Sequence, residues 1–377
     1  MATNGSRANG RQVIDFGWFL PSMGDAEIIG PPTREATLDY LVQVARAAED
    51  AGFNFALIPV GTTCQDAWLV AGMVGARTER LKFLVAMRPG FVAPTLAAKM
   101  SNTLDQALHG RVLINVVTGG FPQELAADGD FMEHDERYDR TQEFMQVVKQ
   151  AWTGGKAWNH EGKYYRVEGG NVFPRPYQSA SGGHPPFYFG GASDAAKKVG
   201  AEDADVYLLW GETVDMVRER IEDMKARAAA VGRTLRFGLR IHVVARQTDE
   251  DARAAAEHLV SEIPDNFQHM VDKHHAKGES EGERRQRELV AAAKDGWLTD
   301  HLWSGIGKAR LGVGTALVGS GESIARCLQE YIDLGVDTFI LSGYPHLEEA
   351  QRFGQYVMPH FAGRTTTSPP QQAAAPA

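Results

Sequence analysis

The sequence predicts an α/β chain closed into a (β/α)8 TIM barrel with insertions. Three observations carry this. Eight short apolar, β-branched runs are spread along the 377 residues. Helical periodicity follows most of them, and polar or glycine-rich residues gather just after the runs end. A doubly wound open sheet is the competing arrangement.

The predicted strands are Phe16–Leu20, Phe55–Val60, Lys82–Met87, Val112–Thr118, Pro186–Gly190, Val206–Trp210, Phe237–Val244 and Thr338–Ser342. Leu38, Leu41, Val42, Ala45 and Ala48 share one helical face, and Gly52 ends that helix. Tyr138–Trp152 and Val214–Ala230 show the same periodicity. Two gaps exceed a simple β/α connection, at about 155–180 and 262–314. The first predicts a hairpin from Tyr164–Val167 and Gly169–Gly170. The second carries Lys273-His274-His275, a charged helix near Glu281–Lys294, and then Gly305, Gly307, Gly312 and Gly314. Glycines on both sides of Arg310 predict a mobile lid loop. One domain is expected over 13–362, with a disordered leader at 1–12 and a flexible, low-complexity tail at 363–377.

A formal charge of −9 counts against nucleic acid as the main partner, because phosphate binding needs a basic field. An anionic ligand would then need local cations. Cys64 and Cys327 are too few for a disulfide framework and fit a reducing cytoplasm. No apolar run approaches the roughly 20 residues of a membrane span. The polar N-terminal stretch lacks the apolar core of a signal peptide.

The run Phe237–Val244 is the most informative. In a strand, Arg240 and His242 project to one face and Leu239, Ile241 and Val243 to the other. Two cationic or proton-binding groups at i and i+2 point to a pocket for an anion. An edge strand with a wet face is the alternative, and the apolar flanks disfavour it. The predicted strand ends lead into Met23 and Asp25, Thr62 to Asp66, Arg88, Asn115 to Gly120, Gly190 to Asp194, Trp210 to Glu212, and Tyr344 to His346. In a barrel these ends form the active-site face. Gly190-Gly191-Ala192-Ser193 precedes a helix start, so Ser193 is either a plain N-cap or a phosphate ligand. Cys64 is either a half-buried loop thiol or a nucleophile, and the latter needs a base or positive field nearby. Trp210 and Tyr344 line an apolar wall or pack in the core. His134-Asp135-Glu136 and His274-His275 lack metal-ligand spacing, so no metal is expected.

Taken together, the motifs resemble the bacterial-luciferase-like flavin monooxygenases, and within them the alkanesulfonate monooxygenase group. The matching segments are Phe19-Leu20-Pro21, Cys64-Gln65-Asp66-Ala67-Trp68, Leu81 to Pro89, Val117-Thr118-Gly119, Pro122 to Ala126, Glu136-Arg137-Tyr138, Tyr188 to Gly191, Gly238 to Val243, Gly314 to Gly319 and Ser342 to Ala350. They follow the family's order and leave only the termini uncovered.

The resemblance implies FMN as cofactor, used as FMNH2 from a separate NAD(P)H-dependent flavin reductase, with O2 as co-substrate. It implies oxidative cleavage of a carbon–sulfur bond to sulfite and an aldehyde, by a homo-oligomer (dimer or tetramer). Carried over by position, Cys64, Arg240, His242, Arg310 and Tyr344 match the active-site set. Asn115, Glu124, Arg137, Tyr138 and Ser193 match flavin contacts. Two departures fall at the pocket mouth. Met23 stands where the group has His, and Thr62-Thr63 precede the cysteine where it has Gly-Arg-Ser. With Trp210, Met23 and Thr62 are therefore expected to face the substrate. Exchanging an arginine for a threonine removes a charge and adds a hydroxyl. A sugar sulfonate such as sulfoquinovose thus stands beside an alkanesulfonate as candidate substrate. Competing expectations are a same-fold monooxygenase acting on a sulfone or other small molecule, a flavin-binding protein without turnover, and a metal-dependent barrel hydrolase.

Overall fold

The computed structural model describes residues 7–8, 11–154, 157–263, 273, 278–308, 310 and 312–365. Eight parallel strands close into a barrel: β1 (Asp15–Phe19), β2 (Phe55–Ile58), β3 (Lys82–Met87), β4 (Val112–Val116), β5 (Phe187–Gly190), β6 (Val206–Trp210), β7 (Arg236–Arg246) and β8 (Val336–Ser342). Each strand pairs with its sequence neighbours, and β8 pairs with β1 to complete the ring. All eight coincide with predicted strands, so the barrel stands and the open sheet does not. The second strand ends at Ile58 rather than Val60 because Pro59 has no N–H to continue the ladder.

Strand β7 is the longest, and its length positions the site. Its first half pairs with β6, with Trp210 beside Arg240. Its second half, from His242, pairs with an additional strand, Ala316–Ser320. That strand continues into the helix Gly321–Leu334, and neither element was among those expected from the sequence. On its other edge β7 pairs with β8, which sets His242 beside Ser342. The edge-strand alternative for this run is therefore excluded.

Side-chain alternation divides the core into two layers. Phe16 and Trp18 point outward to the helices, while Phe19, Leu57, Leu113, Tyr188 and Ile340 fill the barrel interior. Gly17 faces inward because the Phe55 ring occupies the place of its missing side chain; an added Cβ would lie 2.2 Å from that ring. Leu41, Val42, Ala45 and Ala48 form the buried stripe of the helix Leu38–Asp50, which begins at the Thr37 N-cap. The other two expected helices are present as His134–Thr153 and Val214–Ala230.

The first insertion forms a hairpin, but from Trp158–Glu161 and Arg166–Gly170. Tyr164 and Tyr165 lie in its turn, where their amides bond Glu143 and cannot serve a ladder. In the second insertion the charged helix is present as Glu281–Ala292, and His274-His275 lies outside the described residues. Within 1–12, Arg7–Ala8 pairs with Arg11–Gln12, which corrects the expectation that this stretch has no structure. The tail is described only to Thr365, which bridges to Ile14. No described helix is long and apolar enough to cross a membrane.

Phe16 is fully buried and packs its ring against Phe339, Phe353 and Phe361 at 5.6, 5.7 and 5.1 Å. Phe16→Ala is expected to lower unfolding stability by about 3–5 kcal/mol. A urea titration checks this, and the midpoint should fall with little change in slope.

Candidate active site

A cavity of ≈ 430 Å³ opens at the C-terminal ends of the barrel strands. Phe19, Leu57, Val116, Leu208 and Ile340 make its apolar walls. Ser280 to Glu283, Arg310 and Val313, from the second insertion, close over it. Volume and lining suit a small organic ligand. No group of three or more metal-ligating side chains occurs among the described residues.

One end of the cavity is cationic. Arg240 is 7% exposed. Its Nη2 donates to Ser342 Oγ at 2.8 Å, and its Nη1 to the carbonyls of Ile241 and Ile340 at 3.1 and 3.4 Å. Arg310 Nη1 donates to the Tyr344 hydroxyl at 2.8 Å and lies 3.2 Å from His242 Nε2. Both guanidinium groups lie over the Phe19 ring, at 5.0 and 5.3 Å from its centroid. The hydrogen bonds described for both go to neutral acceptors. Burial and the Arg310 charge push the Arg240 guanidinium well below its ordinary value. An anion placed between the two would relieve that penalty.

His242 lies behind this pair. It is fully buried and does not line the cavity. Its Nδ1 is 2.7 Å from Ser342 Oγ, and its Nε2 is 3.1 Å from the Val313 carbonyl. Burial, then Arg240 and Arg310, hold its pKa well below the ordinary imidazole value. His242 is thus a neutral ring with both nitrogens engaged. Arg240 faces the cavity and His242 supports it. Tyr344 likewise stands behind Arg310 and does not line the cavity.

The opposite end offers hydroxyls and one guanidinium. Ser193 caps the helix Asp194–Asp203, accepting from Ala196 N at 3.2 Å. Tyr138 hydrogen-bonds Ser193, and burial pushes its phenol up. The Tyr207 hydroxyl donates to the Gly191 carbonyl, and Arg220 bonds Tyr207. Ser193 caps the helix and also lines the cavity. A helix start, two hydroxyls and a guanidinium match the donor set a phosphate monoester needs. Together with the apolar middle of the cavity, this end fits a flavin mononucleotide.

Nine of the thirteen predicted site residues line the cavity: Met23, Cys64, Asn115, Glu124, Tyr138, Ser193, Trp210, Arg240 and Arg310. Glu124 accepts from Arg88 Nη2 at 3.1 Å and from the Thr62 amide at 3.0 Å. The Thr62 residue itself is exposed and does not line the cavity. Arg137 is turned away, donating to the Met132 carbonyl at 2.6 Å and to Glu279 at 3.1 Å. Cys64 is no ready nucleophile, because burial pushes its thiol up. Trp210 lies under Gly282, where an added Cβ would be 3.0 Å from the indole. Sequence reasoning placed Arg88 on the active-site face without giving it a role, and left out Phe19, Arg220 and Ser280. Phe19 sits in a quoted motif at a strand end. Arg220 is one of several charged residues on an amphipathic helix, and nothing in the sequence separates it from the rest.

The fold and site define a flavin-type TIM-barrel oxidoreductase. The family model described as luciferase-like monooxygenase matches residues 14–338, and the chain belongs to that family. Among solved structures it is similar to the riboflavin lyase RcaE, in a structure with modified FMN and riboflavin. That match has 21% identity and a TM-score of 0.76 over 96% of this chain and 94% of that one. The EDTA monooxygenase EmoA from Chelativorans sp. BNC1 matches at 18% identity and TM-score 0.69, over 94% of each chain. DmoA from Hyphomicrobium sulfonivorans matches at 20% and 0.71, over 95% of this chain and 90% of that one. At these identities the likeness is one of fold.

Neutral burial of His242 links stability to pH. The unfolded chain protonates this residue near pH 6.5, whereas the folded chain does not, so stability falls as pH drops below that value. The slope is about 1.4 kcal/mol per pH unit for one proton. Urea titrations at pH 7 and 5 should show a shallower loss for His242→Gln than for wild type. An equal loss in both would show that His242 protonates in place.

Proposed function

We propose that the protein is a two-component, FMNH2-dependent monooxygenase that cleaves the carbon–sulfur bond of an organosulfonate. The convergence of Arg240 and Arg310, without a carboxylate partner in their described bonds, carries the reading. A sulfonate is permanently charged, and two guanidinium groups replace the water it leaves. A neutral sulfone would leave both cations uncompensated, so the sulfonate is the better fit.

Tyr138, Ser193 and Arg220 hold the FMN phosphate, and Asn115 lies along the cavity wall on the way to Arg240. Reduced FMN supplies the electrons that activate O2. The protein's residues orient the sulfonate and keep water out. Ser280 to Glu283 and Arg310 belong to the insertion over 262–314, which acts as the lid on a single barrel domain. Met23 and Trp210 contact the carbon skeleton, an alkane or a sugar. The exposure of Thr62 removes one of the two sequence arguments for a sugar. A separate NAD(P)H-dependent reductase delivers the flavin in the cytoplasm, where Cys64 and Cys327 stay as free thiols.

The surface supports a homo-oligomer. The helix Ala67–Gly75 is apolar nearly all round, which is unusual outside an interface. It exposes Leu69 and Met73, and Leu96 is exposed on the helix Pro94–Ala107.

With reductase, NAD(P)H, FMN and O2, the protein should release sulfite from at least one member of a panel of alkane and sugar sulfonates. Sulfite release from none overturns the assignment. Arg310→Ala should keep FMN affinity and lose about 100-fold in kcat/KM for the sulfonate, roughly 3 kcal/mol. Leu69→Glu combined with Met73→Glu should convert the assembly to monomer in light scattering.

A further inference from the structure

Behind Met23 lies a second, polar cavity of ≈ 420 Å³. It exists because the loop after β1 folds back on itself. Gly24 has a φ of +102°, and an added Cβ would stand 2.7 Å from Pro32 Cβ. Backbone bonds of 2.9 and 2.8 Å between Asp25 and Arg34 hold the return. Residues 32–36 thus make one wall, and the loop after β2 makes the other through Thr63 and Gln65. The Gln65 amide donates to the Ser22 carbonyl at 3.1 Å and joins the two loops.

A thin partition separates this space from the first cavity. Met23 lines both. Beside it Ser22 lines the second cavity and Cys64 the first. Ser22 Oγ lies against the Cys64 thiol without a hydrogen bond of normal geometry. The partition stands near the cationic end. Met23 packs in the same interior layer as Phe19, over which both arginines lie, and the Arg310 charge acts on the Cys64 thiol. Met23 is half-buried and unbranched, so a change of rotamer moves it aside at small cost.

The two spaces differ in charge. Arg34 lines the second cavity, but Glu348 at 2.8 Å and Glu27 at 2.9 Å already compensate it. Gln65 Nε2 donates to the Ala36 carbonyl at 2.7 Å, which leaves its Oε1 as an acceptor. The Thr33 and Thr63 hydroxyls and the Glu35 carboxylate make no side-chain hydrogen bond to a described residue. An anionic head gains nothing here, whereas hydroxyl groups find both donors and acceptors. We propose that the second cavity is a tail subsite of the active site. The sulfonate stays with Arg240 and Arg310, and a hydroxyl-bearing tail passes Met23 to reach Thr33, Thr63, Gln65 and Glu35. The proposal rests on the organosulfonate reading and selects its polyhydroxylated, sugar-like class. The first cavity has to hold flavin and sulfonate together, so a tail of several carbons needs the added room.

Calorimetric titration of the FMN-loaded protein tests this without requiring turnover. The probes are ethanesulfonate, hexane-1-sulfonate and sulfoquinovose. The wild type should bind sulfoquinovose about tenfold more tightly than hexane-1-sulfonate, whose tail carries no hydroxyl. Thr63→Trp and Glu35→Trp put bulk into the second cavity from opposite walls, both at exposed positions. Each should raise the ratio of the sulfoquinovose Kd to the ethanesulfonate Kd about 30-fold. A ratio within about threefold of wild type in both variants overturns the proposal. A wild type that prefers hexane-1-sulfonate to sulfoquinovose also overturns it. The expected binding pattern without sulfite release defeats the desulfonation reading and leaves the subsite standing. Binding of none of the three sulfonates overturns both.

Discussion

The structure depends on two guanidinium groups brought together with no carboxylate among their described hydrogen-bond partners. Arg240 is inside the fold and Arg310 reaches it from the second insertion. Each repels the other, and burial adds a solvation cost of several kcal/mol for an unpaired ion. The surrounding structure must hold them there. Arg240 projects from the middle of β7, a strand paired on both edges, so its backbone cannot relax away. Its side chain is tied to Ser342 and two carbonyls. Arg310 is tied to Tyr344 and packs against His242. His242 tolerates two cations because it is itself neutral, its proton suppressed by burial and by the charges it supports.

The insertion is anchored to the rim by groups that serve the backbone rather than the cavity. Arg285 forms a two-point ion pair with Glu212, at 2.7 and 2.6 Å. Gln286 bridges the Gly211 carbonyl and the Gly314 amide. Thr315 donates to the same Gly211 carbonyl, and Tyr331 to the Glu212 carbonyl. The loop after β6 therefore holds both ends of the described part of the insertion. This gives the additional strand Ala316–Ser320 a role: it returns the chain to the edge of β7, next to His242.

The barrel was legible because strand and helix periods differ and each strand is long enough to show its own. The face of β7 that carries Arg240 and His242 was legible for the same reason. Depth was not. Alternation gives direction but not distance from the axis, so His242 was expected in the pocket and is found behind it. Arg137 and Thr62 failed differently. Arg137 sits on the same helix as Tyr138, yet one residue turns a helical side chain by about 100°, toward Met132 and Glu279 instead of the cavity. Thr62 contributes only its amide, a group that any residue but proline offers. Arg220 shows the converse: a cavity residue whose helix gives no sign of it. The hairpin was found with its register displaced, since two tyrosines look like strand residues until Glu143 takes their amides.

The placement of the two arginines on different parts of the chain has a thermodynamic consequence. Arg240 belongs to the barrel and is present whether or not the insertion is closed. Arg310 arrives with the insertion and meets the like charge already there. For the lid proposed above, closure would be opposed by repulsion in the absence of a ligand and favoured once an anion lies between the two. By linkage, an anion that binds more tightly to the closed arrangement shifts the insertion toward closure by the same free energy. The cavity then excludes water most completely when the charged ligand is in place. A neutral molecule of the same size makes the apolar contacts but does not lift the repulsion. In the proposed function, selectivity for an anion and the timing of closure would thus share one origin: a cation held on a strand and a second carried on the loop above it.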